Sequence, residues 1–418
     1  MSDRSSRHPL RVFLVMEAGL AFAFALAFTL QGVYFVQVVG LSPLQLLLIG
    51  AALEGAAFML EVPTGVLADV YSRRLSIVLG CALLGVGLLL VGSFPVFGVI
   101  VAAQVVSAAG YTCLSGAQQA WLADELGEER LGGALLLGGQ YGRVAGIAGV
   151  LGAALLARWG GPAAATLAGG GAALLVGAYL ALRMPETGFR PAAREERSTW
   201  AALSAPLRDG AKAVRGSAFL GTLIVAAGLY GASTEAIDRL HEFLLLRETG
   251  LPAALGGVTL GTSDWFVALS LAGAVVGWAV IEPLRRRLDL GDARRVARTL
   301  RVVLAGSVGA LLAFAFAPGF GWAAAALLVH GVLRGLYSPL YAAWLNHGLA
   351  PGSRATVNSF AAQADALGQV SCGPLFGLAG NVWGVRAALA LAAAVRLPTL
   401  ALLARAGRSS ARGAGAER

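Results

Sequence analysis

The chain has 418 residues, 57% of them hydrophobic and only 13% charged, with a mean hydropathy of +0.73. A soluble domain carries roughly 25% charged residues, so about half that share excludes a chain whose whole surface faces water. The formal charge of +9 does not point to nucleic acid, because the arginines stand between apolar blocks rather than on one basic face.

A bilayer core of about 30 Å asks for roughly 20 apolar residues per helix. By that rule the predicted spans are 12–38, 44–68, 75–93, 97–122, 133–157 and 162–182, then 217–237, 257–282, 299–317, 320–345, 355–380 and 384–404. The runs are long and lack the alternation of lipid-facing strands, so helices are expected rather than a barrel. The basic start (Arg4, Arg7, Arg11) leads into an apolar run too long for a signal-peptide core, so the first span is expected to stay attached. Between spans 6 and 7 lies a polar, proline-bearing stretch, MPETGFRPAAREER onward. It divides the chain into bundle 1–182, cytoplasmic linker 183–215 and bundle 216–418. Cys81, Cys113 and Cys372 all fall in apolar stretches, too scattered for a metal pattern or disulfide framework.

The basic residues set the orientation. With a cytoplasmic N-terminus, the inner segments take most of the 32 Lys+Arg. They include Arg73, Arg74, Arg130, the 183–215 stretch, the 285–301 arginines and the C-terminal tail. Outside stand only Arg158, Arg239, Arg247 and Arg386; Arg143, Arg334 and Arg396 lie within spans. This is a positive-inside distribution with both termini cytoplasmic in a plasma or inner membrane. The segment TEAIDRLHEFLLLRE is expected to leave span 7 as an amphipathic helix on the outer surface, carrying Asp238, His241 and Glu242.

Two stretches carry a family resemblance. The loop between spans 2 and 3 reads GVLADVYSRRLSIVLG, a glycine, an aspartate and a basic cluster at fixed offsets. Ala120–Trp121–Leu122 followed by Gln140 is echoed by Ala343–Trp344–Leu345 followed by Gln363, an internal repeat across the linker. Together with the six–linker–six layout, these resemble the major facilitator superfamily. The stretches GAQQAWLADELGEER and QADALGQVSCGPLFG look like its drug:proton antiporter branches. The resemblance implies an all-α polytopic membrane protein of 12 transmembrane helices in two pseudo-symmetric six-helix bundles. It also implies a conformational latch at Gly65, Asp69, Arg73 and Arg74, with Asp69 meeting positive charge across the domain interface. Ser72 stands where the family usually has glycine. The glycine–proline motif of antiporters is absent from span 5, which offers Gly142, Gly146, Gly149 and Gly152. A Gly373–Pro374 pair occurs instead in span 11. These glycines are expected at helix-packing contacts.

Ionisable groups inside a bilayer are costly and tend to face a cavity or one another. Glu17, Glu54, Glu61, Glu235 and Asp365 are therefore candidates for proton coupling, with Arg143 tuning one of them. Glu54, Arg143 and Asp365 fall near the midplane at 1.5 Å per residue. A permanent Glu54–Arg143 ion pair is the alternative reading. His330 reads as a packed histidine.

No G-x-x-x-x-G-K-[ST] loop is present, which argues against a primary pump. His8, His241, His330 and His347 stand beside no evident nucleophile and in no H-E-x-x-H pattern, which argues against an enzyme. The expectation is a monomeric secondary carrier without cofactor or metal, whose partners are a small-molecule substrate, protons and the bilayer. Few midplane polar groups accompany the carboxylates (Gln31, Gln104, Gln140, Gln363). Tyr34, Phe58, Tyr141, Trp265 and Tyr337 are available to line an apolar cavity. That balance favours proton-coupled efflux of lipophilic molecules; uptake of a small metabolite or sugar stays open.

Overall fold

The computed structural model describes residues 2–190, 214–347, 349 and 351–416. Ten of its helices are long and apolar enough to cross a bilayer. One of these, Glu128–Arg183, is two helices joined at Gly161, whose φ of 70° only glycine adopts easily. With the less apolar Pro351–Trp383, the twelve expected spans are accounted for. In chain order they are α1 (His8–Val39), α2 (Pro43–Tyr71), α3 (Arg73–Ser93) and α4 (Phe97–Leu126). Then come α5 (128–160) and α6 (162–183), and α7 (Ala218–Arg247), α8 (Thr262–Arg286), α9 (Ala293–Ala315) and α10 (Phe320–Leu345). Last are α11 (Pro351–Trp383) and α12 (Val385–Ala416). A two-residue hairpin, β1 (Ala254–Leu255) on β2 (Val258–Thr259), precedes α8.

Several boundaries differ from expectation for local reasons. Span 7 does not end at 237. Leu240, Leu244 and Leu245 are buried, so the apolar face of α7 continues to Arg247 and draws Asp238 into a spanning helix instead of a surface one. Span 8 begins at Thr262 rather than 257, because Gly256 and Gly257 take positive φ and turn the hairpin. Arg294, Arg295, Arg298 and Arg301 lie in the first turns of α9, not in a loop. Asp292 starts that helix by accepting hydrogen bonds from the backbone N–H groups of Arg294 and Arg295. Helix α4 is interrupted at Ser115–Gly116.

The chain divides into two compact units. Unit 1 takes Met1–Leu41, Ala52–Thr199 and Leu260–Leu271, and unit 2 takes Ser42–Ala51, Trp200–Thr259 and Ala272–Arg418. The division passes through α2 and α8. Most of the expected 183–215 linker lies outside the described residues.

Between helices in lipid there is little hydrophobic driving force, so close packing of small residues carries association. Unit 1 follows that rule. A Cβ on Gly149 would lie 2.6 Å from the Phe22 carbonyl oxygen, and one on Gly169 would lie 2.6 Å from that of Ala23. Helix α1 is thereby seated against both α5 and α6. Phe13, Met16, Ile77, Cys81, Trp121 and Leu180 fill the core beneath. In unit 2, Leu223, Leu300, Leu304, Leu340, Trp344 and Leu403 do the same between α7, α9, α10 and α12. The repeated tryptophans Trp121 and Trp344 are each buried in the core of their own unit.

Candidate functional site

The loop between α2 and α3 is held within unit 1 by a dense polar network. Ser72 caps α3: its Oγ accepts from the Leu75 N–H at 2.9 Å and donates to Glu186 Oε2 at 2.7 Å. Glu186 Oε1 accepts from the Arg74 N–H at 3.0 Å. Serine in place of the family's glycine thus has a partner that glycine could not supply. Arg73 donates to the Asp124 carboxylate and, at 2.6 Å, to the Ala120 carbonyl. Its guanidinium stands 5.7 Å from the centre of the Phe189 ring, and Asp69 lies 4.0 Å away. Arg74 donates to the Ala181 carbonyl. The Trp121 indole N–H donates to the Pro185 carbonyl at 2.7 Å, and Glu125 accepts from Thr187 and Gly188. The segment after α6 is therefore stitched to α3 and α4. Gly65 has open space where a Cβ would point.

The other candidates of unit 1 are spread over α1, α2 and α5. Glu17 of α1 packs on α5, its Cγ 3.3 Å from where a Gly138 Cβ would sit. Its carboxylate has no hydrogen-bond or ion-pair partner among the described residues. Gly142, a turn further along α5, would place a Cβ 3.6 Å from that of Ala21, whereas Gly146 faces open space. Arg143 is exposed and pairs with no described carboxylate, so the permanent Glu54–Arg143 pair is not formed. Glu54 is half-buried and Glu61 exposed on α2. Of the aromatics, Tyr34 is committed to the core, its hydroxyl donating to the Val91 carbonyl at 2.9 Å, while Tyr141 is exposed.

Unit 2 gathers more charge. Glu235 of α7 is buried and accepts from Arg239 Nε at 2.9 Å. Its carboxylate occupies the space a Gly50 Cβ would need, and its Cγ lies 3.3 Å from the Cβ position of Gly373. Pro374 follows within α11. Asp238 and Arg334 join α7 to α10 through a two-pronged ion pair. Asp365 of α11 accepts from Gln369 at 2.7 Å and makes no ion pair among the described residues.

Deeper in unit 2 is a cluster that sequence reasoning left unassembled. Arg396 of α12 is 0% exposed. Its Nε donates to Ser233 Oγ of α7 at 2.6 Å and its Nη1 to Ser307 Oγ of α9 at 2.5 Å. Its guanidinium lies 4.9 Å from the centre of the Tyr230 ring, which is stacked on Tyr337 at 3.9 Å. His330 Nδ1 stands 3.3 Å from Ser307 Oγ, so the expected packed histidine is part of a polar chain. The only signal in the sequence was an arginine in mid-span; the two serines are unremarkable until folding brings α7, α9 and α12 together.

Twelve spanning helices carrying a small number of charged groups define a polytopic membrane carrier fold. The sequence pattern of the Major Facilitator Superfamily matches residues 13–371, and the chain belongs to that superfamily. Among solved structures, a variant of the nucleoside transporter NupG is similar at TM-score 0.76 and 12% identity, covering 96% of this chain and 99% of that one. A POT family transporter in complex with a thioalcohol-conjugated peptide gives TM-score 0.72 and 13% identity, covering 94% and 95%. At such identities the likeness shows the fold alone. No curated protein matches the sequence.

Proposed function

We propose that this transporter exports lipophilic small molecules against protons by alternating access, as a monomer in the plasma or inner membrane with both termini cytoplasmic. The observation that carries proton coupling is Glu17, a carboxylate in an apolar span with no partner among the described residues. A charge so placed is expensive unless it faces a water-filled path or takes a proton. Arg143 is exposed on α5, the helix Glu17 packs against, and is proposed to tune one of the proton sites. Asp365, tied only to Gln369, is the second proton site, and Glu54 the third. Glu235 has a committed partner in Arg239 and ranks below Glu17 and Asp365. The four loop residues Gly65, Asp69, Arg73 and Arg74 are proposed to stabilise one end state of the transport cycle, with the Glu186 and Asp124 contacts keeping the loop rigid. The division 1–182, 183–215, 216–418 remains our proposed boundary for the two repeats.

Glu17→Gln and Asp365→Asn should each abolish proton-driven flux in proteoliposomes while leaving the folded yield unchanged. Full activity in both would reject the coupling role. Cells expressing the protein should resist lipophilic toxicants, and a protonophore should remove that resistance. Uptake of a polar metabolite is the second reading, favoured by the charged groups Asp238, Arg334 and Asp365 in unit 2. It predicts accumulation of label inside cells instead of protection.

A further inference from the structure

In unit 2, the acids Glu235, Asp238 and Asp365 can be matched against the arginines Arg239, Arg334 and Arg396. Glu235 pairs with Arg239 and Asp238 with Arg334. Asp365 and Arg396 are left over, and neither makes an ion pair among the described residues. Asp365 is engaged by Gln369, while Arg396 is held only by neutral serine oxygens. A guanidinium removed from solvent without a counter-charge carries an uncompensated desolvation cost. Serine hydroxyls and the Tyr230 ring repay part of it.

The remaining polar atoms around Arg396 are themselves unmatched. Arg396 Nη2, the hydroxyls of Tyr230 and Tyr337, Thr399 Oγ1 and His330 Nε2 are all buried without a hydrogen-bond partner in the structure. The residues are contiguous: Arg396 lies over Tyr230, Tyr230 stacks on Tyr337, Ser307 links Arg396 to His330, and Thr399 follows Arg396 by one turn of α12. Each of these side chains can donate, and no carboxylate bonds to any of them. Serine contacts at Nε and Nη1 hold the guanidinium in place and leave its outer edge free to grip a planar anion. The walls are otherwise apolar and aromatic.

We infer that the Arg396–Tyr230–Tyr337 cluster is a recognition site for one carboxylate group on a lipophilic monoanionic substrate. This rests on the carrier reading and narrows its substrate class. Because Arg396 is sealed from solvent, the ligand reaches it only when the helices of unit 2 part, so occupancy follows the transport cycle.

The test uses the purified full chain in nanodiscs with radiolabelled 1-naphthoate. Saturable binding is expected, competed by unlabelled naphthoate and not by its methyl ester or by chloride. Arg396→Gln should weaken binding about tenfold or more, the loss expected for one charge-assisted hydrogen bond. Tyr337→Phe, which keeps the ring stack, should weaken it about threefold or more even if Arg396→Gln fails to fold. Absence of naphthoate binding, equal competition by the methyl ester, displacement by chloride at equal concentration, or an unchanged Tyr337→Phe affinity would each overturn the proposal. The carrier reading is scored separately, as proton-driven flux of lipophilic solutes, naphthoate and neutral compounds alike, in proteoliposomes made from the same purified protein. Flux without carboxylate discrimination sinks the site alone; naphthoate binding that needs Arg396, with no flux of any solute, sinks the carrier alone.

Discussion

At the scale of single residues, the polar side chains divide into those whose partner is close in sequence and those whose partner is not. Asp292 belongs to the first kind. The backbone N–H of Arg294, ahead of smaller contributions, holds its carboxyl below the usual carboxylate range. A group whose pKa is lower in the folded state contributes stability above its unfolded value and loses it as pH falls through the folded one. Thermal melts should therefore show an acid-dependent loss in the wild type that Asp292→Asn reduces, since asparagine caps without titrating. An equal loss in both proteins would show that the cap does not titrate. This cap was open to sequence reading as an aspartate before a helical run, although the span was started too late to use it. Arg396 is of the second kind. Ser233, Ser307 and Tyr230 come from distant segments, and only the packing of three helices identifies them as its neighbours. Asp238 was misplaced for a related reason: its partner Arg334 lies 96 residues away.

At the scale of helices, apolar run length was a good guide to existence and a poor one to ends. A run of leucines continuing past a charged turn extends a helix when its apolar face still has something to pack on, as α7 shows. The crossing of α7 and α11 shows what sequence conceals. A Cβ at Gly231 would strike the Asp365 carbonyl oxygen and lie 2.7 Å from its carbon, and one at Gly368 would lie 2.8 Å from the Ala232 nitrogen. Backbone atoms cannot rotate aside, so Gly231→Ala or Gly368→Ala must push the helices apart. Overpacking of this kind costs about 1–3 kcal/mol, measurable as a lower melting temperature in detergent. Gly321→Ala, where a Cβ meets open space, is the matched control and should melt with the wild type. Parity of all three variants would mean that the contact is not tight in the membrane. Neither crossing glycine stood out by spacing, because unit 2 is crowded with glycines that touch nothing.

At the scale of the whole molecule, the superfamily was legible from the span count, the charge asymmetry, the loop motif and the internal repeat, all of which are readable along a single chain. The orientation rests on the same asymmetry. Reporters fused to either end should both be active only as cytoplasmic fusions, and opposite signals from the two ends would reject the topology. The arginines that break the positive-inside trend mostly have acid partners. Arg158 reaches Asp264 at 3.4 Å, Arg239 reaches Glu235 at 2.9 Å and Arg386 reaches Glu248 at 3.0 Å.

Arg386 does more than balance a charge. While its Nε holds Glu248 just past the end of α7, its Nη1 donates to the carbonyls of Ala315 and Ala317 at the end of α9, at 3.2 and 2.9 Å. One side chain at the head of α12 thus ties off three helices at a single membrane face, the way a cord gathers the neck of a bag. Parting these three helices at that face therefore means breaking the Arg386 contacts, so the side chain is a clasp that must release before unit 2 can open there.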